Sequence, residues 1–187
     1  MKSKSVLKLS VSVFGRMVLA GFMCAILSLS VTSILSGRGG QLLALLLNVI
    51  LYFSLVYSFV WSVGDRENNL VRYQHEKLDL FKGLKAGLIA SVPAFLLSVL
   101  LVLAKLGVVS ELFLALYRIL NAPYLPFFLI AMPSSHTIAE LPFSGVILSA
   151  LTPLLLPVVS MGGYYLGFCR LSVGEAVMYK TPKKIEN

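Results

Sequence analysis

Long apolar segments are the feature that most constrains the fold of this chain. An α-helix needs about 20 apolar residues to cross the hydrocarbon core of a bilayer. Four segments have that length and contain at most two charged residues each: 11–35, 42–63, 84–106 and 143–168. The chain is 58% hydrophobic and only 13% charged, whereas a soluble domain has about 25% charged residues. The sequence therefore predicts an all-α integral membrane protein, a single domain with four transmembrane helices.

The distribution of basic residues predicts the orientation of these helices. Loops on the cytoplasmic side of a membrane carry an excess of Lys and Arg. With both termini inside, 13 of the 16 basic residues are cytoplasmic, and Arg38, Lys105 and Arg118 remain outside. We therefore expect an N-in/C-in arrangement with residues 64–83 as a cytoplasmic loop. The short loops and compact size favour a plasma membrane, of the bacterial cytoplasmic type.

The same basic residues indicate the class of partner. They lie at the ends of apolar segments, whereas proteins that bind single-stranded nucleic acid interleave basic and aromatic residues along a groove. Juxtamembrane Lys and Arg are attracted to anionic headgroups. The sequence therefore predicts contact with an anionic bilayer surface and no nucleic-acid partner.

Residues 111–132 form a fifth apolar segment that differs from the other four. The segment contains Arg118, Asn121, Pro123 and Pro126. An arginine at the centre of a membrane helix costs about 2.5–3.5 kcal/mol, and internal prolines remove helical hydrogen bonds. We therefore expect a re-entrant or interfacial segment on the outer side, between spans three and four, instead of a fifth crossing.

This outer region contains the candidate ligand-binding residues. Irregular backbone at membrane depth is tolerated where it is buried in protein or lines a water-filled cavity. Such a cavity would hold Arg118, Asn121, His136 and Glu140, and would suit a small-solute transporter or a substrate-binding transporter subunit. The alternative is an interfacial helix with Arg118 among the headgroups.

The polar segment between spans two and three is the candidate docking surface. Residues 64–85 contain five of the 16 basic residues and half of the eight acidic ones, with apolar side chains between them. We interpret Arg72, Tyr73, His75, Lys77 and Phe81 as residues that bind a membrane or cytoplasmic protein. For the backbone of this segment we expect a short amphipathic helix on the headgroups, with Gly64 and Asp65 ending the second span.

One short motif carries a family resemblance. Residues 133–137, Pro-Ser-Ser-His-Thr, resemble the central signature of membrane-bound phosphatidic acid phosphatases, in which such a segment helps to hold phosphate and to protonate the leaving group. The resemblance implies a membrane-embedded hydrolase that uses His136. That family also has a downstream histidine nucleophile, and no histidine follows His136 in this chain. The covalent route of phosphoryl transfer requires such a nucleophile.

The remaining chemistry-bearing residues form no recognisable catalytic set. A zinc site needs three or four ligands, and His136 with Glu140 supplies two. The sequence therefore predicts no metal, no cofactor and no catalytic residue. Its leading interpretation is a non-enzymatic subunit that docks a partner through its cytoplasmic loop, ahead of the transporter and, last, the hydrolase.

Small and polar residues inside the spans predict how the helices pack. Gly83-x-x-x-Gly87 and Gly163-x-x-x-Gly167 permit close helix contacts within the monomer. Asn48 lies in the middle of the second span, where an amide side chain hydrogen-bonds to a neighbouring helix. Prolines in the last span, including Pro153, should distort it.

Overall fold

Four long helices dominate the structure, a computed structural model that describes residues 5–74, 79–110, 113–121, 138 and 140–171. The helices are α1 (Val6–Ile34), α2 (Arg38–Gln74), α3 (Lys82–Lys105), α4 (Phe113–Leu120), α5 (Phe143–Leu151) and α6 (Leu155–Phe168). A 3₁₀ turn, Thr152–Leu154, joins α5 to α6 at the predicted proline distortion. Four helices, with α5 and α6 taken as one, are long and apolar enough to span a membrane. Among the described residues, the prediction of an all-helical chain with four helices of membrane-spanning length and apolarity is confirmed.

The long helices form a closed four-membered arrangement. Helices α1 and α6 both pack against α2 and against α3. Tyr57 contacts Gly163, and one turn later Trp61 contacts Gly167, so α2 and α6 run in the same direction. The start of α1, the end of α2, the start of α3 and the end of α6 therefore meet at one end. We call it the basic end, because Lys8, Arg66, Lys82, Lys85 and Arg170 lie there.

Glycines allow the backbone of α6 to approach α2 and α3 closely. A Cβ atom added at Gly64 or Gly167 would overlap the backbone of the facing helix, and one at Gly87 would lie 2.7 Å from the Cα of Pro157. Gly83 and Gly163 also face the backbone of a neighbouring helix. Both predicted glycine motifs are therefore packing surfaces within the monomer. Small residues serve this purpose in membrane bundles because association there depends on close packing.

The second helix does not end at Gly64, so that prediction is wrong. Helix α2 continues through Gly64 and Asp65 as far as Gln74. Gly64 is a packing residue, since it faces Tyr164 and Phe168 of α6. The first half of the predicted polar loop is consequently an extension of α2, and the expected separate amphipathic helix is wrong for residues 64–74.

A buried hydrogen bond joins α1 to α2 near mid-span. The Asn48 side-chain amide donates to Ser28 Oγ at 2.7 Å, and the Cys24 thiol donates to the Asn48 carbonyl at 3.7 Å. The predicted interhelical contact of Asn48 is confirmed. The amide is fully buried, which ties the pair to one relative position of the two helices.

The region opposite the basic end has its own small core. Helix α4 packs against α3 and has only eight residues, so it does not cross a bilayer by itself. A second apolar cluster surrounds it: Leu101, Ala104, Leu114, Tyr117, Ile138, Leu141 and Val146. Residues 122–132, the second half of the predicted re-entrant segment 111–132, lie outside the described residues, and the re-entrant or interfacial arrangement stays a prediction.

Candidate functional site

Exposed apolar and aromatic side chains lie where α2 ends and α3 begins. Tyr73 is 79% exposed, Phe81 is 56% exposed and Leu80 is 41% exposed. Arg72, one residue before Tyr73, is also exposed. We call these four residues the tip. Three of the five predicted docking residues belong to it, and the other two, His75 and Lys77, lie outside the described residues.

A buried ion pair joins α2 to α3 next to the tip. Lys82 Nζ donates to Glu67 Oε1, and the two side chains are only 7% and 11% exposed. The Tyr164 hydroxyl donates to the other carboxylate oxygen, Oε2, at 2.7 Å. One carboxylate thus joins α2, α3 and α6. Because removing a charge from water is costly unless it is paired and hydrogen-bonded, this arrangement strongly favours a single relative position of the three helices.

This buried triad was not predicted, although the sequence contains a signal for it. Glu67 follows Val60 and Val63 and precedes Leu70, at helical spacings of seven, four and three residues, and all three of these apolar side chains are buried. Positions with this spacing share one face of a helix. An acidic residue on the buried face of a helix needs a cation or several donors, so the pattern indicates a partner without identifying Lys82.

A second set of contacts fixes the extension of α2 to the end of α6. The Asn68 side-chain amide donates to the Phe168 carbonyl, and Trp61 Nε1 donates to the Leu171 carbonyl at 2.8 Å. The Arg170 guanidinium lies 3.4 Å from Asp65 Oδ1 and donates to Asn69. The last carbonyl groups of a helix have no partner within that helix. Donors from α2 therefore satisfy the end of α6 and hold the extension in place.

The connection that leads into α3 is also organised by an acidic side chain. Asp79 Oδ1 accepts from the Phe81 amide at 3.2 Å, and Asp79 Oδ2 lies 2.9 Å from Lys85 Nζ. Both side chains of this ion pair are more than a third exposed. The contact orders the start of α3, but solvent weakens the ion pair.

Three of the four predicted ligand-binding residues are described, and they lie at the opposite end of the bundle. Asn121 is buried, and its side-chain amide donates to the Tyr117 carbonyl at 3.2 Å. Arg118 is half-buried on the last turn of α4, and Glu140 is exposed just before α5. His136 lies outside the described residues. The structure therefore places Arg118 and Asn121 at the end of one short helix and does not describe the complete predicted pocket.

Tyr117 links α4 to α5 at this end of the molecule. Its ring is buried in the second apolar cluster, and its hydroxyl donates to the Ser149 carbonyl on α5 at 2.9 Å. Burial raises the pKa of the Tyr117 phenol, so the hydroxyl keeps the proton that it donates. The signal for this residue was the amphipathic spacing of Leu114, Tyr117 and Asn121, which are all buried.

A lateral groove opens between α2 and α6. It has a volume of about 450 Å³, and its walls include Phe53, Tyr57, Leu155 and Gly162. The lining is almost entirely apolar, and a Cβ added at Gly162 would meet no atom within 4 Å. A groove of this composition faces lipid and is suited to hydrocarbon rather than to a polar substrate.

Neither end presents a metal centre among the described residues. No group of three or more His, Cys, Asp or Glu side chains lies close enough together there to hold an ion. The chemistry that this part of the chain offers is therefore ion pairing, hydrogen bonding and apolar contact at the basic end.

Comparisons with protein-family models, with curated proteins and with solved structures give no match to this chain.

Proposed function

We propose that this protein is a non-enzymatic subunit of a membrane complex, and that it docks its partner through the tip. One observation carries the proposal: Tyr73, Leu80 and Phe81 are exposed where α2 ends and α3 begins, beside a buried ion pair that joins these two helices. Aromatic and arginine side chains supply most of the binding energy in protein interfaces. An anchor that is already ordered loses less conformational entropy when its partner binds.

The support beneath the tip favours docking over a purely architectural role. The extension of α2 projects beyond the apolar span, and Glu67, Asn68 and Asp65 bind α3 and the end of α6. A linker that merely connected two spans would need none of these contacts. Their joint effect is to hold Tyr73 and Phe81 on one rigid platform.

We further propose that the tip faces the cytoplasm, with both termini on the same side of a plasma membrane. The support is the positive-inside rule, because 13 of the 16 basic residues fall on the tip side of this arrangement. Arg72 then presents a positive charge beside the aromatic anchors. The expected partner surface is an apolar pocket bordered by acidic side chains.

A photo-crosslinking experiment in living cells tests the docking proposal. A photoreactive amino acid replaces Tyr73 or Phe81 in the full-length protein, and Phe143 serves as the matched control. Phe143 is 53% exposed, as Phe81 nearly is, but lies at the opposite end. We expect one crosslinked protein of constant mass from both tip positions and none from Phe143. Crosslinks to lipid alone at the tip, or the same products at Phe143, would contradict the proposal.

Charge reversal tests the expected chemistry of the partner. Arg72→Glu should abolish the tip crosslink, because it opposes an acidic partner surface. Arg38→Glu makes the same change at an exposed arginine of the opposite end and should leave the crosslink intact. If the Arg72→Glu variant crosslinks as strongly as the unchanged protein, the expectation that acidic side chains border the partner's pocket is wrong.

A further inference from the structure

Several basic side chains at the basic end form no ion pair with a described acidic residue, although every described acidic side chain there is paired. Each described acidic side chain there has one basic partner: Glu67 pairs with Lys82, Asp79 with Lys85 and Asp65 with Arg170. Lys8, Arg16 and Arg66 have no acidic partner among the described residues. All three belong to α1 and α2, on the side of the bundle away from α6.

Helices α1 and α2 pack against each other; we call the surface along their line of contact the groove, and the register of the two helices places the three cations along it. The Arg16 guanidinium carbon lies 4.0 Å from the ring centroid of Phe59, which fixes the antiparallel register of the two helices. Lys8 lies about two turns from Arg16 along α1, and Arg66 lies about two turns from Phe59 along α2. Both steps lead toward the basic end, so Lys8 and Arg66 come to the same level on the two walls of the groove.

Residues on α1 change from polar to apolar along this groove. Lys8, Ser12 and Arg16 are spaced by four and form one stripe of the helix. The stripe continues toward the middle of the membrane with Leu19 and Met23, which are both well exposed. A cationic end followed by an exposed apolar path matches the shape of an amphiphile, with its headgroup at one end and an acyl chain at the other.

The groove is also open where the two parts meet. A Cβ added at Gly15 would meet no atom within 4 Å, so no other helix covers α1 at that position. The Phe59 ring holds the Arg16 guanidinium through a cation–π contact. A planar guanidinium binds phosphate through two parallel hydrogen bonds.

We propose that this groove binds an anionic phospholipid, with its phosphate on Arg16, Lys8 and Arg66 and one acyl chain along Leu19 and Met23. The site depends on the membrane location of the protein and not on the docking function of the tip. A zwitterionic lipid is disfavoured, because its own cation would approach three positive side chains.

Native mass spectrometry of the full-length protein, released from detergent micelles, tests this site. The probes are phosphatidylglycerol and phosphatidylcholine of identical chain length. We expect at least one phosphatidylglycerol to stay bound under conditions that remove phosphatidylcholine. Arg16→Gln should weaken phosphatidylglycerol binding about ten-fold, the order of magnitude of a lost charge-assisted hydrogen bond. Arg66→Gln should act in the same direction and serves as the second variant if the first fails to fold.

Arg38→Gln is the matched control, because it removes an equally exposed positive charge at the opposite end. It should leave phosphatidylglycerol binding unchanged. Equal losses in the Arg16 and Arg38 variants, or equal retention of the two lipids, would overturn the proposal. Inorganic phosphate distinguishes the source of the anion. If it displaces the lipid at millimolar concentration, the groove is a site for free phosphate and the lipid assignment is wrong.

Discussion

Replacing Lys82 by methionine tests whether the buried triad stabilises the bundle. Methionine keeps much of the length and apolar contact of the lysine stem but removes its charge. Glu67 would then be a buried carboxylate without its cation, although it would still accept a hydrogen bond from the Tyr164 hydroxyl. Breaking one partner of a buried ion pair costs about 3–5 kcal/mol. We expect a loss near the lower limit, about 3 kcal/mol in the free energy of unfolding, because the hydroxyl still binds the carboxylate.

The exposed ion pair at the start of α3, between Lys85 and Asp79, provides the control. Lys85 and Asp79 are 54% and 37% exposed, and a surface ion pair contributes about 0–1 kcal/mol. Lys85→Met should therefore change the free energy of unfolding by no more than about 1 kcal/mol. The two lysines lie one turn apart on α3, so the two variants have the same change in composition and differ in burial.

Reversible unfolding in mixed micelles of mild detergent and dodecyl sulphate, followed by Trp61 fluorescence and by helical circular dichroism, supplies the two free energies. A triple variant, Lys82→Met with Glu67→Met and Tyr164→Phe, completes the test by removing every member of the triad. It should be more stable than Lys82→Met alone, because no charge is then left buried without its partner. Equal losses for Lys82→Met and Lys85→Met would show that burial of the pair has no energetic role.

Three further predictions concern packing, orientation and transport. Gly167→Ala should destabilise the protein by about 1–3 kcal/mol through overpacking, measured by the same unfolding assay, whereas Gly162→Ala, which meets open space, should be neutral. A membrane-impermeant maleimide should label exposed Cys169 in inverted vesicles and not in intact cells, while buried Cys24 stays unlabelled; labelling from outside would reverse the proposed orientation. If the protein transports a small solute through the outer region, Arg118→Ala should abolish uptake from a panel of labelled solutes at an unchanged protein level, and Arg118→Lys should retain part of it. Normal uptake by Arg118→Ala would reject the predicted role of that residue.

The four apolar helices were predictable because crossing a bilayer is a requirement on each segment separately. A run of about 20 apolar residues indicates a membrane-spanning helix independently of the rest of the sequence. The glycine motifs were predictable for a related reason, since small residues four apart form a local pattern. The contact partners of these glycines were not, because they depend on which helices become neighbours.

The end of α2 was predicted wrongly because tertiary contacts decided it. Gly64 and Asp65 favour helix termination locally, yet the chain stays helical to Gln74. Donors and acceptors on Asn68 and Asp65 bind residues about one hundred positions later. Local helix propensity contains no information about such distant contacts. Glu67 illustrates the same limit, since its position on an apolar face indicates burial but does not identify Lys82.

The candidate site was predictable to a similar degree. Tyr73 and Phe81 were singled out as apolar residues among charges, and both are exposed where α2 ends and α3 begins. Their role in binding stays a prediction. The platform beneath them was not foreseen, because it arises from the convergence of three helices on one carboxylate.

The close approach of α6 to two earlier helices has a consequence for how the protein is assembled during synthesis. Glu67 and Lys82 are separated by only 15 positions, so α2 and α3 can form their ion pair before the last span leaves the ribosome. Gly64 of α2, with Gly83 and Gly87 of α3, then lines an open channel that α6 later fills. The last span is thus a separate insertion step. We expect a chain that stops before residue 143 to enter the membrane with this channel exposed to lipid, and to accept α5–α6 supplied as an independent polypeptide.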